Sequence, residues 1–212
     1  DAKWQRGVIL MSSGPSSGKS CPGCRMSDQD ILRSGARLNI EIKARCDDHD
    51  HIRRVLSDMG SRLVGTDHQV DTYFQVPEGR LKLREGSIEN SLIFYQRSDQ
   101  AGPKRSDVQL YRVKPPDPSL KKVLGEALGI FVVVDKQREI HFVDNVKIHL
   151  DRVQELGTFL EIEAIDADGT HSQDTLQAQC EEFMRLFDVQ ESDLLEDSYS
   201  DMLLKAHQGS TQ

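Results

Sequence analysis

The chain has no long hydrophobic run. Apolar stretches such as Val8-Ile9-Leu10-Met11 and Phe131-Val132-Val133-Val134 fall far short of the roughly 20 residues that a membrane-spanning helix needs. Cysteine is scarce as well. There are four in 212 residues, two of them in Cys21-Pro22-Gly23-Cys24, which is too few for the disulfide framework of a small secreted domain. No secretory signature accompanies them, so a reducing, cytoplasmic setting is the expectation. The lone CxxC has no second pair at zinc spacing, which argues against a structural zinc site. Gly14-Pro15-Ser16-Ser17-Gly18-Lys19-Ser20 has three residues between its glycines where a Walker A loop has four, and loop length decides which N–H groups converge on a phosphate. Aromatic residues make up only 6% of the chain and the formal net charge is −8. Few stacking platforms and a net negative charge speak against an extended nucleic-acid partner.

What is present is charge, sorted along the chain. Between Arg80 and Lys114 there are eight basic and four acidic residues, whereas Leu160 to Asp201 holds thirteen acidic residues and one basic, Arg185. Residues 1–36 are rich in Ser and Gly without sustained periodicity and read as a flexible leader. Residues 37–206 form the folded domain, and 207–212 a short tail. In the domain, Leu38-Asn39-Ile40-Glu41-Ile42-Lys43-Ala44-Arg45 alternates strictly between apolar residues and polar ones, three of the four charged, the pattern of a strand with two different faces. Gly79–Arg84 repeats it with basic residues opposite leucines. Further strands are expected at Ser91–Ser98, Asp107–Val113, Val132–His141, Val146–Val153 and Thr158–Ile165, with a weaker one around Val70–Val76. Four amphipathic helices are expected. Asp47 or Asp48 caps the first, which carries Ile52, Val55, Leu56 and Met59. A shorter one carries Leu120, Val123, Leu124 and Leu128. Ser172 caps the third, and the last spans Leu194 to Leu203.

Eight strands with short connections predict an α+β fold, a closed eight-stranded antiparallel β-barrel with helices packed outside. If helices cover the apolar strand face, the charged face points into the lumen. That inward set is Glu41, Lys43, Arg45, Lys82, Arg84, Arg97, Lys136, Arg138, Lys147, Asp151, Glu161 and Glu163. Alternating charge also fits the solvated face of a sandwich. Strand faces carrying only one sign, and the i,i+2 carboxylates of Glu161-Ile162-Glu163, favour the lumen. Crowded buried ions cost several kcal/mol each unless compensated. A polyanion on the Lys and Arg side chains and a divalent cation on the carboxylates would compensate.

These segments resemble the CYTH, or triphosphate tunnel metalloenzyme, superfamily, which includes class IV adenylyl cyclases and thiamine triphosphatases. Its ExExK strand corresponds to Asn39-Ile40-Glu41-Ile42-Lys43. The resemblance continues in order through Asp71-Thr72-Tyr73-Phe74, Gly79–Arg84, Leu92–Arg97, Val134–Arg138, His149-Leu150-Asp151, Leu156–Glu163 and Ser198–Leu204. It implies an eight-stranded tunnel that binds a triphosphate. It also implies metal ligation by Glu41, Glu161, Glu163 and Asp151, with Mg²⁺ or Mn²⁺ as the cofactor. Phosphate binding is implied for Lys43, Arg45, Lys82, Arg84, Arg97, Lys136 and Arg138, with Glu41, Lys43 and Arg138 as the catalytic set. The departure is Asn39, where the family usually has Glu. Lys147 and Arg112 also read as solvated, His149 as a strand-packing residue, and the acids of His49-Asp50-His51 as caps. The activity expected is metal-dependent hydrolysis of a small-molecule triphosphate such as tripolyphosphate, thiamine triphosphate or a nucleoside triphosphate. Its rivals are cyclisation of ATP to cyclic AMP and pyrophosphate, and triphosphate binding without turnover. Monomer and homodimer are both open.

Overall fold

The structure, a computed structural model, describes residues 37–97, 102–114, 117–167 and 169–209. The leader, its CxxC and its Walker-like loop lie outside the described residues. Eight strands follow one another with four α-helices between and after them. The strands are β1 (Arg37–Arg45), β2 (Arg62–Phe74), β3 (Arg80–Glu85), β4 (Ser91–Arg97), β5 (Lys104–Arg112), β6 (Ile130–Val143), β7 (Val146–Val153) and β8 (Gly157–Asp166). The helices are α1 (His49–Asp58), α2 (Pro118–Leu128), α3 (Gln173–Leu186) and α4 (Tyr199–Gly209). The strands close into a ring in the order β1-β5-β4-β3-β2-β6-β7-β8, and β8 pairs with β1. Every pairing is antiparallel, and closure of the ring leaves none of the described strands as a sheet edge. None of the described helices is long and apolar enough to cross a bilayer.

The expected division of faces is borne out. Ile40 and Ile42 of β1, Ile148 and Leu150 of β7, and Leu160 and Ile162 of β8 point outward. There they form one buried cluster with Ile52 and Leu56 of α1 and Leu176, Cys180 and Phe183 of α3. Each such side chain contributes about 1.5–3 kcal/mol when fully buried, which is what drives the helices onto the barrel. Asp48 caps α1 by accepting from His51 N at 2.9 Å, and Ser172 caps α3 by accepting from Thr175 N at 3.2 Å. Cap and stripe together fix which side of each helix meets the sheet. α2 lays Leu120, Leu124 and Leu128 on Phe74, Leu83 and Val113.

Two strands run further than the alternation predicts. β2 starts at Arg62 rather than near Val70, and β6 covers Ile130–Val143. They pair over their whole length, with a register shift between Leu63 and Gly65. The expected last helix is divided as well. A 3₁₀ turn at Glu191–Asp193 is followed by an extended strap, and only from Tyr199 does α4 begin. The strap lies across the barrel end where β1 finishes: Ala44 bridges Leu194, and Leu195 N donates to Lys43 O at 2.9 Å. Lys104 Nζ holds Leu195 O and Glu196 O at 3.2 and 2.8 Å. Ser198 and Asp201 then form a reciprocal cap, Asp201 N to Ser198 Oγ at 3.2 Å and Ser198 N to Asp201 Oδ2 at 3.1 Å. Arg80 locks that cap to β3 through Asp201 at 2.8 Å.

Gly79, entering β3, has φ +67, and an added Cβ would come within 2.9 Å of the Phe94 ring and of Tyr95 O. Gly79→Ala is therefore expected to cost about 1–3 kcal/mol from backbone strain and close contact, read as a lowered urea midpoint.

Candidate active site in the barrel lumen

The charged strand faces enclose a cavity of about 190 Å³. Its floor includes Ser198 and Tyr199, brought in by the strap. Its opposite end carries the half-buried Arg112 and the exposed Lys114 and Ile88. That is the open end.

Two carboxylates organise most of the cations. Asp71, on β2, sits directly opposite Arg84 in the β2–β3 register. It takes Arg84 Nε at 2.8 Å and Arg84 Nη2 at 2.9 Å, Lys82 Nζ at 3.0 Å and Lys136 Nζ at 2.8 Å. Burial alone would raise the Asp71 pKa, but Arg84, Lys136 and Lys82 hold it well below the usual carboxylate range. Lys136 is drawn down to about 7, first by burial and then by Arg84, Arg138 and Lys82, against the pull of Asp71. The second organiser is Glu161, on β8. It pairs with Lys43, meets Arg138 Nη2 at 2.5 Å and accepts from His149 Nδ1 at 3.2 Å. Because the carboxylate requires the proton on Nδ1, the His149 Nε2 lone pair is bare; it is buried without a partner. Burial and the nearby Arg138 and Lys147 pull His149 down to about 3, so it stays neutral.

A third carboxylate group lies nearer the open end. Glu41 and Glu163 are directly opposed in the β1–β8 register, so their side chains share one face as close neighbours. Asn39 Nδ2 donates to Glu163 Oε1 at 2.6 Å, while Asn39 Oδ1 is buried with no partner. The Glu163 pKa is raised, by burial first and then by Glu41, Glu161 and Glu89, with Lys147 opposing. Crowded carboxylates beside an orphaned amide oxygen are a donor set suited to a hard cation. Glu161 fits less well, since its oxygens already serve Lys43, Arg138 and His149. Among the described residues no three His, Cys, Asp or Glu side chains are already arranged around one point.

The lumen gathers Glu41, Lys43, Lys82, Arg84, Lys136, Arg138, Glu161 and Glu163 around the cavity. It does not gather Arg45 or Asp151. Arg45 shares the face of Lys43 but lies at the strand end, exposed, its guanidinium 5.6 Å from the Phe159 ring centroid. Asp151 shares the inward face of β7 with Lys147 and His149 but is fully buried and outside the cavity lining. It pairs with Arg138 (Nε to Oδ1 2.7 Å) and accepts from Tyr199 Oη at 2.9 Å. The side chain of Arg97 lies outside what the structure describes. Lys147 is enclosed and paired with Glu89 rather than solvated. Sequence reasoning assigned no role to Asp71, Glu89 or Tyr199. Tyr199, whose ring centroid is 3.6 Å from Lys43 Nζ, was flagged only as part of the Ser198–Leu204 segment.

The cavity lining carries an excess of positive charge, as expected of a basic tunnel, but much of that charge is paired. Eight cations, Lys43, Lys82, Arg84, Arg112, Lys114, Lys136, Arg138 and Lys147, face five carboxylates, Glu41, Asp71, Glu89, Glu161 and Glu163. Asp151, outside the lining, also pairs with Arg138. Unpaired buried ions cost several kcal/mol each, and the strand register supplies a carboxylate for nearly every cation.

The family model for the CYTH domain matches residues 37–199, the whole barrel from β1 to the strap. The chain belongs to the CYTH domain family. A Methanocaldococcus jannaschii protein named provisionally as an adenylate cyclase is 23% identical over 176 residues, covering 78% of this chain and 98% of that protein. Among solved structures, a Vibrio parahaemolyticus protein also named provisionally as an adenylate cyclase shares the fold at TM-score 0.65. It has 19% identity and covers 80% of this chain and 99% of its own. A Hippeastrum protein, described as an adenylyl cyclase with a dominant triphosphatase activity, matches at TM-score 0.51. It has 14% identity and covers 79% of this chain and 94% of its own.

Proposed function

We propose that this CYTH protein hydrolyses the terminal phosphate of a triphosphate inside the barrel, with the aid of a divalent cation. The observation that carries the reading is the lumen itself: six enclosed cations held in fixed positions by strand-borne carboxylates around about 190 Å³. Phosphoryl transfer asks a protein mainly to position the phosphate chain and neutralise its oxygens, and Lys43, Lys82, Arg84, Lys136 and Arg138 are arranged for that. Five carboxylates share the lumen with the cations, and a cation beside Glu41 and Glu163 would offset their repulsion of a multiply charged anion. Glu41, Glu163 and Asn39 Oδ1 would hold that Mg²⁺ or Mn²⁺, which neutralises the phosphate oxygens. Lys43 and Arg138 steady the terminal phosphate while water attacks its phosphorus and the bond to the bridging oxygen breaks. Phosphate leaves on one side and the shortened chain on the other, and the water's protons pass to the phosphate oxygens and solvent. Glu41 would complete the catalytic set by holding the cation.

Hydrolysis asks only for the cradle and a water, whereas cyclisation also needs a ribose 3′-hydroxyl held in line with the α-phosphorus. The names of the relatives make cyclisation the rival to assay. Purified protein is incubated with tripolyphosphate, thiamine triphosphate or ATP and Mg²⁺ or Mn²⁺, and phosphate, pyrophosphate and cyclic AMP are followed. Phosphate release that falls at least about 100-fold in Glu41→Gln is expected, the scale of losing a main electrostatic contributor. Cyclic AMP with pyrophosphate would instead establish the cyclase. Tight triphosphate binding with no product above the Glu41→Gln control would leave a binding module.

A further inference from the structure

The loop after β3 turns back into the barrel instead of arching over it. Asp67, buried on β2, accepts from Ser87 N at 2.7 Å, Ser87 Oγ at 2.9 Å, Ile88 N at 3.0 Å and Glu89 N at 2.9 Å. Gly86 allows this approach, since a Cβ there would stand 2.6 Å from Asp67 Oδ2. The loop backbone is thus fixed by Asp67 and not by the Glu89 side chain. That side chain, 11% exposed, reaches into the cavity and lies between Arg84 Nη1 at 2.8 Å, Gln69 Nε2 at 3.0 Å and Lys147. Alternating antiparallel pairing around the ring makes β3 run opposite to β1. Its closing loop therefore stands at the open end, away from the strap that covers the finish of β1.

We propose that Glu89 is a built-in competitor for the outermost phosphate and so sets the length of phosphate chain that the cavity accepts. The inference rests on the triphosphate reading above. A carboxylate between an arginine and a lysine occupies the place a phosphate would take. An incoming chain that reaches this level must displace it into solvent, and the loop need not unfold for that because Asp67 keeps its amides. Specificity is a difference of affinities. A short chain that fills only the deep cations Lys43, Lys82, Lys136 and Arg138 leaves Glu89 in place. A longer one gains Arg84 and Lys147 only after expelling it.

The test is calorimetric titration of the full chain with tripolyphosphate and with pyrophosphate, each in Mg²⁺, for wild type, Glu89→Gln and Glu89→Asp. Removing one opposing charge is expected to lower the tripolyphosphate Kd about tenfold in Glu89→Gln. The pyrophosphate Kd should change less than about twofold. Glu89→Asp, which keeps the charge but draws it back by one methylene, should give an intermediate gain, and it decides the matter if Glu89→Gln fails to fold. A purely structural Glu89 would yield weaker or unchanged binding, and that outcome in the folded variants overturns the proposal. So does an equal gain for both probes. Wild type that binds neither probe overturns the triphosphate reading itself, whereas wild-type binding without a gain in the variants overturns only the role of Glu89.

Discussion

Arg138→Met is expected to abolish turnover and to destabilise the fold by about 3–5 kcal/mol, the scale of breaking a buried ion pair from one side. Arg138 is 4% exposed and serves two carboxylates at once, the fully buried Asp151 and Glu161 of the cavity lining. Burial alone would raise both pKa values; Arg138 is the largest influence that instead lowers them. Both folded-state values therefore lie below their unfolded ones. The stability they contribute is present above the unfolded pKa, near 4, and is lost as pH falls through the folded values. Methionine reverses the sign at Asp151. Burial then dominates there, so that carboxyl takes a proton more readily folded than unfolded and its cost is relieved as pH falls, whereas Glu161 keeps Lys43 and His149. Urea denaturation should show wild type losing stability only below about pH 4, while Arg138→Met regains part of its loss between pH 7 and pH 5. A variant equally stable at pH 7 would mean that Asp151 and Glu161 are held by something other than Arg138.

The same pairing explains which parts of this molecule could be read along the chain. β1, β3, β7 and β8 were legible because each has an apolar face under a helix and a charged face in the lumen, so period-two alternation survives. β2 was not. Asp67, Gln69, Asp71 and Thr72 are all buried, so polar residues fill buried positions in a stretch that hydropathy reads as a loop. The acids at Glu41, Glu161 and Glu163 could be found by spacing within a strand. The partner of Arg84 could not, because Asp71 comes thirteen residues earlier and meets it through the β2–β3 register. Glu89 lies in a loop, where no periodicity points inward; only the Asp67 contacts turn it into the cavity. Arg45 had the right spacing and the wrong height. Alternation gives the face a residue occupies but not where the barrel ends, and here the strap closes it beside Ala44. Net interior charge is likewise a sum over eight strands, which no single segment discloses.

Asp71→Asn is expected to lower stability by about 3–5 kcal/mol at neutral pH and to enlarge the stabilisation that tripolyphosphate gives. Asp71 is 1% exposed and is a shared counter-ion of Lys82, Arg84 and Lys136. The amide leaves these cations crowded without that charge, and a phosphate chain becomes their replacement. Ligand stabilisation follows RT ln(1 + [L]/Kd), so a larger thermal shift at equal tripolyphosphate reports tighter seating in a less stable barrel. A general packing defect would lower the melting temperature without enlarging the shift. Lys136 supplies an independent readout. Its folded pKa of about 7 lies below the value of about 10.4 for an unfolded lysine. Between those limits the unfolded chain binds more protons, so this group's contribution to stability rises with pH. Losing Asp71 removes the main influence holding that proton in place, which pushes the Lys136 pKa lower still and starts the rise below pH 7. Stability measured from pH 6 to pH 9 should therefore climb earlier in Asp71→Asn than in wild type. Bound tripolyphosphate should flatten the climb, because its charge restores the proton to Lys136. An unchanged pH profile in the variant would separate Lys136 from Asp71 and leave the 2.8 Å contact between them without electrostatic consequence.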